Sequence, residues 1–293
     1  FARLDVADSG NPITAMRNDV AGGIQELRYY AGLASELKGS TQQRQGGSVT
    51  FTQRSPYGVV GRLVPFNHPF KAAAGKIGAP LAAGNAVILK PSEYTPLSAL
   101  EMAEASAAFL PAGLLSVLTG GGRGVGAQLV AHPGVPRISF TGSVPSGRAV
   151  LHGADDGIKH VSVELGGKNP FILFPDADVH RGADAAIRGM NLARSGGQSC
   201  QSTSRVYVHA DLKEAFIESL LERISRLRIV DPQDETTDIG PMSFGAHYER
   251  VLGYIATANS QGATLICGGG RPADLERGYF IEPTVFADVD DSM

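Results

Sequence analysis

Tryptophan is absent from this chain of 293 residues, and cysteine occurs only twice, at Cys200 and Cys267. Two cysteines cannot build a disulfide framework, and no secretory signal is present, so the cytoplasm is the expected compartment. Neither cysteine has a second cysteine or a histidine at ligand spacing, which argues against a metal centre.

Long apolar runs and an excess of charge of one sign are also missing. The longest apolar stretches, such as 84–89, fall far short of the roughly 20 residues that cross a bilayer. The net charge is −3 and both signs are interleaved, which gives no reason to expect nucleic acid or a membrane surface as partner. With 43% hydrophobic and 19% charged residues, the composition indicates a soluble globular protein.

Glycine, by contrast, is abundant: its 37 residues are nearly twice the average share of about 7%. From position 57 onward, short apolar segments alternate with helical ones, and glycines separate them. Strands are predicted at 59–64, 86–89, 115–118 and 138–141, with helices at 71–83, 96–109 and 124–131. This alternation predicts an α/β fold whose first domain has a Rossmann-like parallel sheet.

A second α/β series follows, with strands at 171–174 and 205–208 and helices at 178–193, 212–227 and 244–258. We therefore predict a dinucleotide-binding domain over 1–165 and a catalytic α/β domain over 166–293. Ahead of the sheet, the pattern predicts a helix over 20–37 and an exposed hairpin within 39–55, a candidate subunit contact. The chain opens without methionine and both ends look cut, so a fragment of a longer protein is expected.

Two reactive residues are predicted to stand on separate glycine-marked turns: Glu164 in Val-Glu-Leu-Gly-Gly-Lys and Cys200 in Gly-Gly-Gln-Ser-Cys. A cysteine thiolate attacks carbonyl carbon, and a glutamate can activate the water that releases a thioester. A solitary cysteine is usually a core residue, which fits Cys267 at a predicted strand end but not Cys200 among polar neighbours. The pair suggests acyl chemistry through a covalent sulfur intermediate.

Two strand ends offer groups for a dinucleotide, each with a structural alternative. Lys90 and Glu93 follow the strand 86–89, where the carboxylate could accept bonds from ribose hydroxyls. The same carboxylate would repel a 2′-phosphate, which favours NAD over NADP; a solvated turn is the alternative. Gly142 and Ser143 could bind a pyrophosphate at a helix start, or Ser143 could be an ordinary N-cap.

Two further segments are less specific. The segment 122–127 matches the dinucleotide fingerprint G-x-G-x-x-G/A, but no acidic residue follows at the expected distance, so a glycine-rich connecting turn is favoured. The segment 65–69, Pro-Phe-Asn-His-Pro, follows a strand, and Asn67 could donate its amide N–H to an oxyanion. Asn67 as a plain turn residue stays open, and His68 is interpreted as a packing residue.

The order of these motifs along the chain is more specific than any one of them. Pro-Phe-Asn-His-Pro, Lys-Pro-Ser-Glu, Phe-Thr-Gly-Ser, Glu-Leu-Gly-Gly-Lys, Gly-Gln-Ser-Cys and, at 282–285, Glu-Pro-Thr-Val follow the order seen in the NAD(P)-dependent aldehyde dehydrogenase superfamily. The chain resembles this superfamily over essentially its whole length, and it looks closest to the betaine-aldehyde-dehydrogenase-like members. The resemblance implies NAD-dependent oxidation of an aldehyde to a carboxylic acid.

The resemblance also implies a role for each motif residue. Cys200 matches the nucleophile, Glu164 the base for deacylation, and Asn67, with the Cys200 N–H, the oxyanion donors. Lys90, Ser92 and Glu93 match the adenosine-ribose site, Ser143 the pyrophosphate contact and Gly166 the backbone beside the nicotinamide. The full set of implied cofactor contacts is Pro65, Phe66, Asn67, Lys90, Ser92, Glu93, Gly142, Ser143 and Gly166. A homodimer or homotetramer is implied as well, with 39–55 resembling the subunit-bridging hairpin.

Departures from the superfamily leave alternatives open. Phe66 stands where tryptophan is usual, which keeps an aromatic side chain there. The superfamily continues past 285 and also precedes residue 1, so the isolated chain is expected to lack part of its cofactor site, and a catalytically silent fragment stays open. A CoA-acylating relative generally lacks a glutamate at position 164, and a cysteine hydrolase would need a histidine base near Cys200.

Overall fold

The computed structural model describes residues 1–293 and divides the chain into two compact units. The first unit comprises Asp19–Leu165 with Phe1, and the second comprises Gly166–Met293 with Ala2–Asn18. The predicted domain 1–165 differs from the first unit at its start, because the N-terminal residues belong to the second. There, Ile13 N–H donates to Pro232 O at 2.9 Å, and the turn at Gly10 packs against Pro241.

Two helices open the chain: α1 (Ala2–Ser9) and α2 (Ile13–Leu33). The helix predicted over 20–37 begins earlier, because Ile13 and Met16 bury its first turn against Val6. It also ends earlier, at Leu33, where a 3₁₀ turn follows over Ala34–Glu36. Strands β1 (Thr41–Gln43) and β2 (Val49–Phe51) then pair antiparallel, as an exposed hairpin within the predicted span 39–55.

A five-stranded sheet forms the centre of the first unit. Its strands are β3 (Val59–Leu63), β4 (Ala86–Lys90), β5 (Leu115–Val117), β6 (Arg137–Gly142) and β7 (His160–Leu165). Helices α3 (Pro69–Ala82), α4 (Leu97–Ser106), α5 (Ala127–Ala131) and α6 (Val144–Gly153) lie between successive strands in sequence. Every neighbouring pair is parallel, in the order β5-β4-β3-β6-β7, which confirms the predicted α/β fold with a parallel sheet.

Apolar side chains cover both faces of this sheet, because successive strand residues point to opposite faces. Val87 and Leu89 of β4 pack with Phe70 and Ile77 of α3 in one cluster. The other cluster contains residues of β3, α5, β6 and α6: Leu63, Leu129, Val130, Ile138 and Val150. A fully buried leucine or isoleucine contributes about 1.5–3 kcal/mol relative to an exposed one, so these two clusters hold helices on both faces.

The strand order reverses at β3. The chain passes from β3 to β4 and β5 on one side, and then returns to place β6 and β7 on the other side. In parallel α/β sheets, ligands bind in the crevice at the carboxyl ends of the strands that flank such a reversal. The loop after β3 and the loop after β6 therefore border the expected ligand crevice of the first unit.

The second unit has a smaller parallel pair, β8 (Pro170–Leu173) with β9 (Arg205–Val208). Its helices are α7 (Val179–Gly189), α8 (Leu192–Ser195), α9 (Lys213–Ile224) and α10 (Gly245–Ser260), and β10 (Thr264–Cys267) pairs antiparallel with β11 (Val285–Ala287). The helix predicted over 178–193 is interrupted because Asn191 adopts a left-handed φ of 58°. None of the helices in either unit has the length and apolarity needed to cross a bilayer.

Candidate active site

Four of the predicted motifs meet at one edge of the five-stranded sheet. Because parallel strands carry their carboxyl ends at the same edge, residues 65–67 after β3 and 90–93 at the end of β4 lie there together. Residues 142–143 at the end of β6 and 164–166 at the end of β7 lie at the same edge. Sequence spacing alone could not order these segments along the edge, because strand order is a property of the folded sheet.

The segment at the end of β4 combines a buried cation with an accessible carboxylate. Lys90 is buried, and its Nζ donates to Pro91 O at 2.9 Å and lies 3.5 Å from Glu93 Oε2. The Glu93 side chain is 43% exposed, and Ser92 Oγ accepts a bond from Tyr94 N–H. The burial of Lys90 argues against a simple solvated turn. An exposed carboxylate beside a buried ammonium has free acceptor positions, which fits the hydroxyls of a ribose.

The segment at the end of β6 begins α6 with a serine N-cap. Ser143 Oγ accepts from Ser146 N–H at 3.3 Å, which is the ordinary capping bond considered above as the alternative. The Ser143 hydroxyl donates to Ser146 Oγ at 3.0 Å, and Pro145 has no N–H, so the N–H of Val144 is the donor that remains for an anion at this helix start. This donor set is small, but it is compatible with a phosphate.

The glycine-rich segment 122–127 forms a single π-helical turn, Gly122–Gly126, that leads into α5. A Cβ atom added at Gly122 or Gly124 would meet no atom within 4 Å. Close packing therefore does not require glycine at these positions, unlike in a dinucleotide fingerprint, where the glycines permit a tight turn and a close helix.

Asn67 is half-buried on the loop between β3 and α3, and the residue after it is anchored to α2. His68 Nδ1 lies 2.6 Å from Asp19 Oδ2, and Lys71 Nζ lies 4.0 Å from the other oxygen of that carboxylate. The Asp19 side chain is only 1% exposed and that of His68 is 16% exposed. His68 thus binds a buried carboxylate, in keeping with the packing role predicted for it. Asp19 was not found from the sequence, because the two partners lie 49 positions apart.

Glu164 lies in a strand, not on the turn that the sequence predicted. Strand β7 continues to Leu165 because its ladder with β6 pairs Thr141 with Glu164 and Gly142 with Leu165. The side chain of Glu164 is exposed, and its carboxylate forms no hydrogen bond or ion pair. The turn begins only at Gly166, where an added Cβ atom would meet nothing within 4 Å.

In the second unit, Cys200 lies on a loop between α8 and β9 that several hydrogen bonds anchor. Gly196 and Gly197 adopt left-handed φ angles of 57° and 78°, which glycine tolerates without strain. Buried Gln198 donates to Ser195 O at 3.0 Å and accepts from Ser243 N–H at 3.1 Å. Ser202 Oγ contacts Met190 O at 2.9 Å and Gly197 O at 3.0 Å. These bonds anchor the loop on either side of Cys200, at Gln198 and at Ser202.

Cys200 itself is exposed, and its backbone N–H makes no hydrogen bond. Both the thiol and the amide are therefore available to a bound molecule. The Cys200 carbonyl accepts a bond from the side chain of Asn169, a residue outside the motifs that predict the site. Asn169 directly follows the Glu-Leu-Gly-Gly-Lys motif, but no sequence pattern predicts that its amide reaches a loop so far along the chain.

The two thiols differ in accessibility, which predicts their order of alkylation. Cys267 is half-buried at the end of β10, where burial raises the pKa of its thiol. At a given pH it therefore holds less of the reactive thiolate than an unburied thiol would. Iodoacetamide at pH 8 is expected to label Cys200 first and Cys267 much later, as measured by peptide mass spectrometry over time. Equal labelling rates would contradict this assignment of the exposed and buried thiols.

No group of three or more His, Cys, Asp or Glu side chains converges in a way that could hold a metal ion. The chemistry of the described residues is instead that of a thiol, carboxylates, a lysine and amide donors. At the carboxyl edge of the five-stranded sheet lie the pair Lys90–Glu93, an N–H donor beside Ser143 and open space at Gly166. Groups of these kinds can bind the ribose and phosphates of a dinucleotide.

Comparisons with known proteins give one consistent result. The family model described as "Aldehyde dehydrogenase family" matches residues 1–293. Betaine aldehyde dehydrogenase from Brucella ovis is 44% identical over 299 aligned positions, covering 100% of this chain and 60% of its own length. An NAD⁺ complex of aldehyde dehydrogenase from Bacillus cereus superposes with a TM-score of 0.95 at 36% identity, covering 100% of this chain and 59% of that one.

A third relative agrees with these two. The NAD-dependent aldehyde dehydrogenase from Sinorhizobium meliloti has a TM-score of 0.95 at 36% identity, with 100% of this chain and 58% of that chain covered. The chain thus spans about 60% of the length of the curated relatives it matches. Since the family model matches the chain from end to end, the chain belongs to the aldehyde dehydrogenase family.

Proposed function

We propose that the whole protein oxidises an aldehyde to a carboxylic acid with NAD, through a thioester on Cys200. The observation that carries this proposal is the family match over residues 1–293, which includes both Cys200 and Glu164. The relatives named above are aldehyde dehydrogenases, and the one from Bacillus cereus is an NAD⁺ complex. The likeness to betaine aldehyde dehydrogenase makes a small cationic aldehyde the first substrate to test.

Cys200 captures the substrate in this proposal. Its thiolate Sγ forms a bond to the carbonyl carbon, and the electron pair of the C=O bond moves to the oxygen. The free N–H of Cys200 and the side-chain amide of Asn67 are the donors that stabilise this oxyanion. Removing one such donor typically costs about 10²–10³-fold in rate, so the two together make a large contribution.

The carboxyl edge of the five-stranded sheet would hold the cofactor. Lys90, Ser92 and Glu93 would bind the adenosine ribose, whose hydroxyls would donate to the Glu93 carboxylate, and Gly142 and Ser143 would bind the pyrophosphate. Residues 65–67 and Gly166 would border the nicotinamide end. The carboxylate of Glu93 disfavours a 2′-phosphate, which favours NAD over NADP. When bound, NAD supplies the hydride acceptor that allows the adduct on Cys200 to become a thioester.

Glu164 releases the product. Its carboxylate takes a proton from a water molecule as the water oxygen bonds to the thioester carbon. The C–S bond then breaks, Cys200 leaves as thiolate, and the carboxylic acid is released. An exposed carboxylate with no partner in the chain is free to take up this proton.

We further propose a cytoplasmic homodimer or homotetramer that uses the hairpin β1–β2 as a subunit contact. Two cysteines without a disulfide framework fit a reducing compartment. On the hairpin, Val49 and Phe51 are 56% and 70% exposed and stand two positions apart in β2, so they share one face and present an apolar surface that a second subunit could cover.

The test is a screen of small aldehydes with the whole protein, monitored by NADH absorbance and by product analysis. One NADH per carboxylic acid is expected, without any need for CoA. A strict requirement for CoA would instead identify an acylating enzyme. Carboxylate release from an ester without NAD consumption, and no aldehyde oxidation, would identify a cysteine hydrolase and refute the proposal.

A further inference from the structure

The side-chain amide of Asn169 bridges two carbonyls of the Cys200 loop. Its Nδ2 lies 2.8 Å from Cys200 O and 3.1 Å from Ser202 O, so each N–H of the amide can serve one acceptor. Asn169 directly precedes β8, and its own carbonyl accepts from Arg205 N–H at 3.3 Å. The residue therefore links the ordered β8–β9 pair to the loop that carries the thiol.

The Cys200 loop depends on this bond because it has no ladder of its own. Cys200 lies in a turn, its carbonyl accepts from no group other than Asn169, and its N–H is free. Without the amide, the peptide that follows Cys200 could rotate, and the direction of Sγ relative to the Cys200 N–H would change with it. A displacement of about 1 Å in a reacting group can cost about 10²-fold in rate.

We propose that Asn169 is a positioning residue that holds Cys200 in its reactive orientation. The catalytic consequence rests on the proposed function, whereas the hydrogen bonds can be tested without it. The position also explains why a polar side chain with two N–H donors occurs directly before a strand. An aspartate there would present only acceptors to two carbonyl oxygens, and an alanine would leave both carbonyls without that donor.

The sharpest variant is Asn169→Asp, which keeps the shape of the side chain and removes both N–H donors. At pH 8 the first-turnover rate of NADH formation is expected to fall about 10²-fold, with an unchanged KM for NAD. The two facing carbonyl oxygens disfavour an ionised carboxylate and raise its pKa above the usual value of about 4. The ratio of variant to wild-type rate should therefore recover as the pH is lowered towards about 5, because a protonated carboxyl can again donate to Cys200 O. Asn169→Ala should be slow at every pH.

The matched control is Asn259→Asp, which adds the same charge to an exposed position near the end of α10. It should behave as the wild type at every pH. Thermal unfolding of all variants is measured alongside, so that a rate loss is compared only among folded proteins. If Asn169→Asp does not fold, Asn169→Ala adds no charge and carries the test.

Hydrogen exchange provides a measurement that does not depend on activity. In the wild type, Ser202 N–H donates to Ser199 O at 3.1 Å and Thr203 N–H donates to Gly189 O at 3.0 Å. Both amides should exchange about tenfold faster in the two Asn169 variants and not in the control.

The outcomes separate this inference from the proposed function. If the wild type forms no NADH with any aldehyde, the proposed function fails, while faster exchange in the variants would still support the role of Asn169 in holding the loop. If the wild type is active and both variants match its first-turnover rate, Asn169 is not a positioning residue, whatever the exchange rates are. A rate loss in Asn169→Asp that does not change with pH would also overturn the proposed hydrogen bond.

Discussion

Replacing Cys200 with alanine is expected to lower NADH formation by about 10⁴-fold or more in the whole protein. The thiolate is the group that bonds to the substrate, and removal of a nucleophile costs losses of this order in other enzymes. Because Cys200 is exposed, the substitution leaves no cavity in the core, and the unfolding temperature should not change. The measurement is steady-state NADH formation with the best aldehyde from the screen, together with a thermal melt.

The matched control for this prediction is Cys267→Ala, which removes the other thiol of the chain. Cys267 contacts Pro283 O through its sulfur at 3.6 Å and lies at the end of β10, within an antiparallel pair and away from the Cys200 loop in sequence. Its variant should keep the wild-type turnover. Equal losses in both variants would indicate a general effect of thiol removal, and normal turnover in Cys200→Ala would refute the assigned nucleophile.

The second large effect is expected for Glu164→Gln, which should separate the two halves of the reaction. Capture and NADH formation precede the step that needs a base, so a first burst of NADH should remain. The steady-state rate should fall about 10²–10⁴-fold, the usual contribution of a general base, because the thioester on Cys200 is no longer hydrolysed efficiently. Rapid mixing measures the burst, and intact-protein mass spectrometry detects the acyl group that accumulates.

Two controls make the result for Glu164 specific. Glu101→Gln makes the same change at an exposed glutamate of α4 and should leave both phases unchanged. Hydroxylamine is a nucleophile that does not need a base at neutral pH. Added after the burst, once unreacted aldehyde that would form an oxime has been removed, it should cleave the thioester of Glu164→Gln to a hydroxamic acid and the free Cys200 thiol, so that fresh aldehyde and NAD give a second burst. Loss of the burst itself would place Glu164 in capture instead of release. An unchanged steady-state rate would mean that another group activates the water.

Much of the parallel sheet can be predicted because most of its strands are recognisable from their own residues and those next to them in sequence. Segments such as 86–89 are short apolar runs between glycines and helical segments, and the structure places β4 there. Strand β7 has no such local mark, since His-Val-Ser-Val-Glu-Leu is half polar and its ladder with β6 is what makes it a strand. For the same reason, Glu164 was expected on a turn: the motif marks the glycines, but only the partner strand decides where pairing ends.

The start of the chain shows a different limit. Residues 2–18 contain helical patterns, but nothing in them indicates which unit they join. Contacts such as Ile13 N–H with Pro232 O and the pair Arg17–Glu235 assign them to the second unit. These partners are separated by more of the chain than any local pattern covers, so their pairing is a result of tertiary packing.

The sequence by itself determined the reactive groups and the residues next to them: a cysteine among polar residues and a glutamate shortly before two glycines. It also determined the motif order that identifies the family. Local chemistry is enough for this, because each motif is a short run of residues whose types limit what they can do. Only the tertiary structure decided which strand ends lie together, that Asp19 holds His68, and that Asn169 binds the carbonyl of Cys200. Strand order and long-range hydrogen bonds arise when distant segments pack, and no spacing along the chain encodes them.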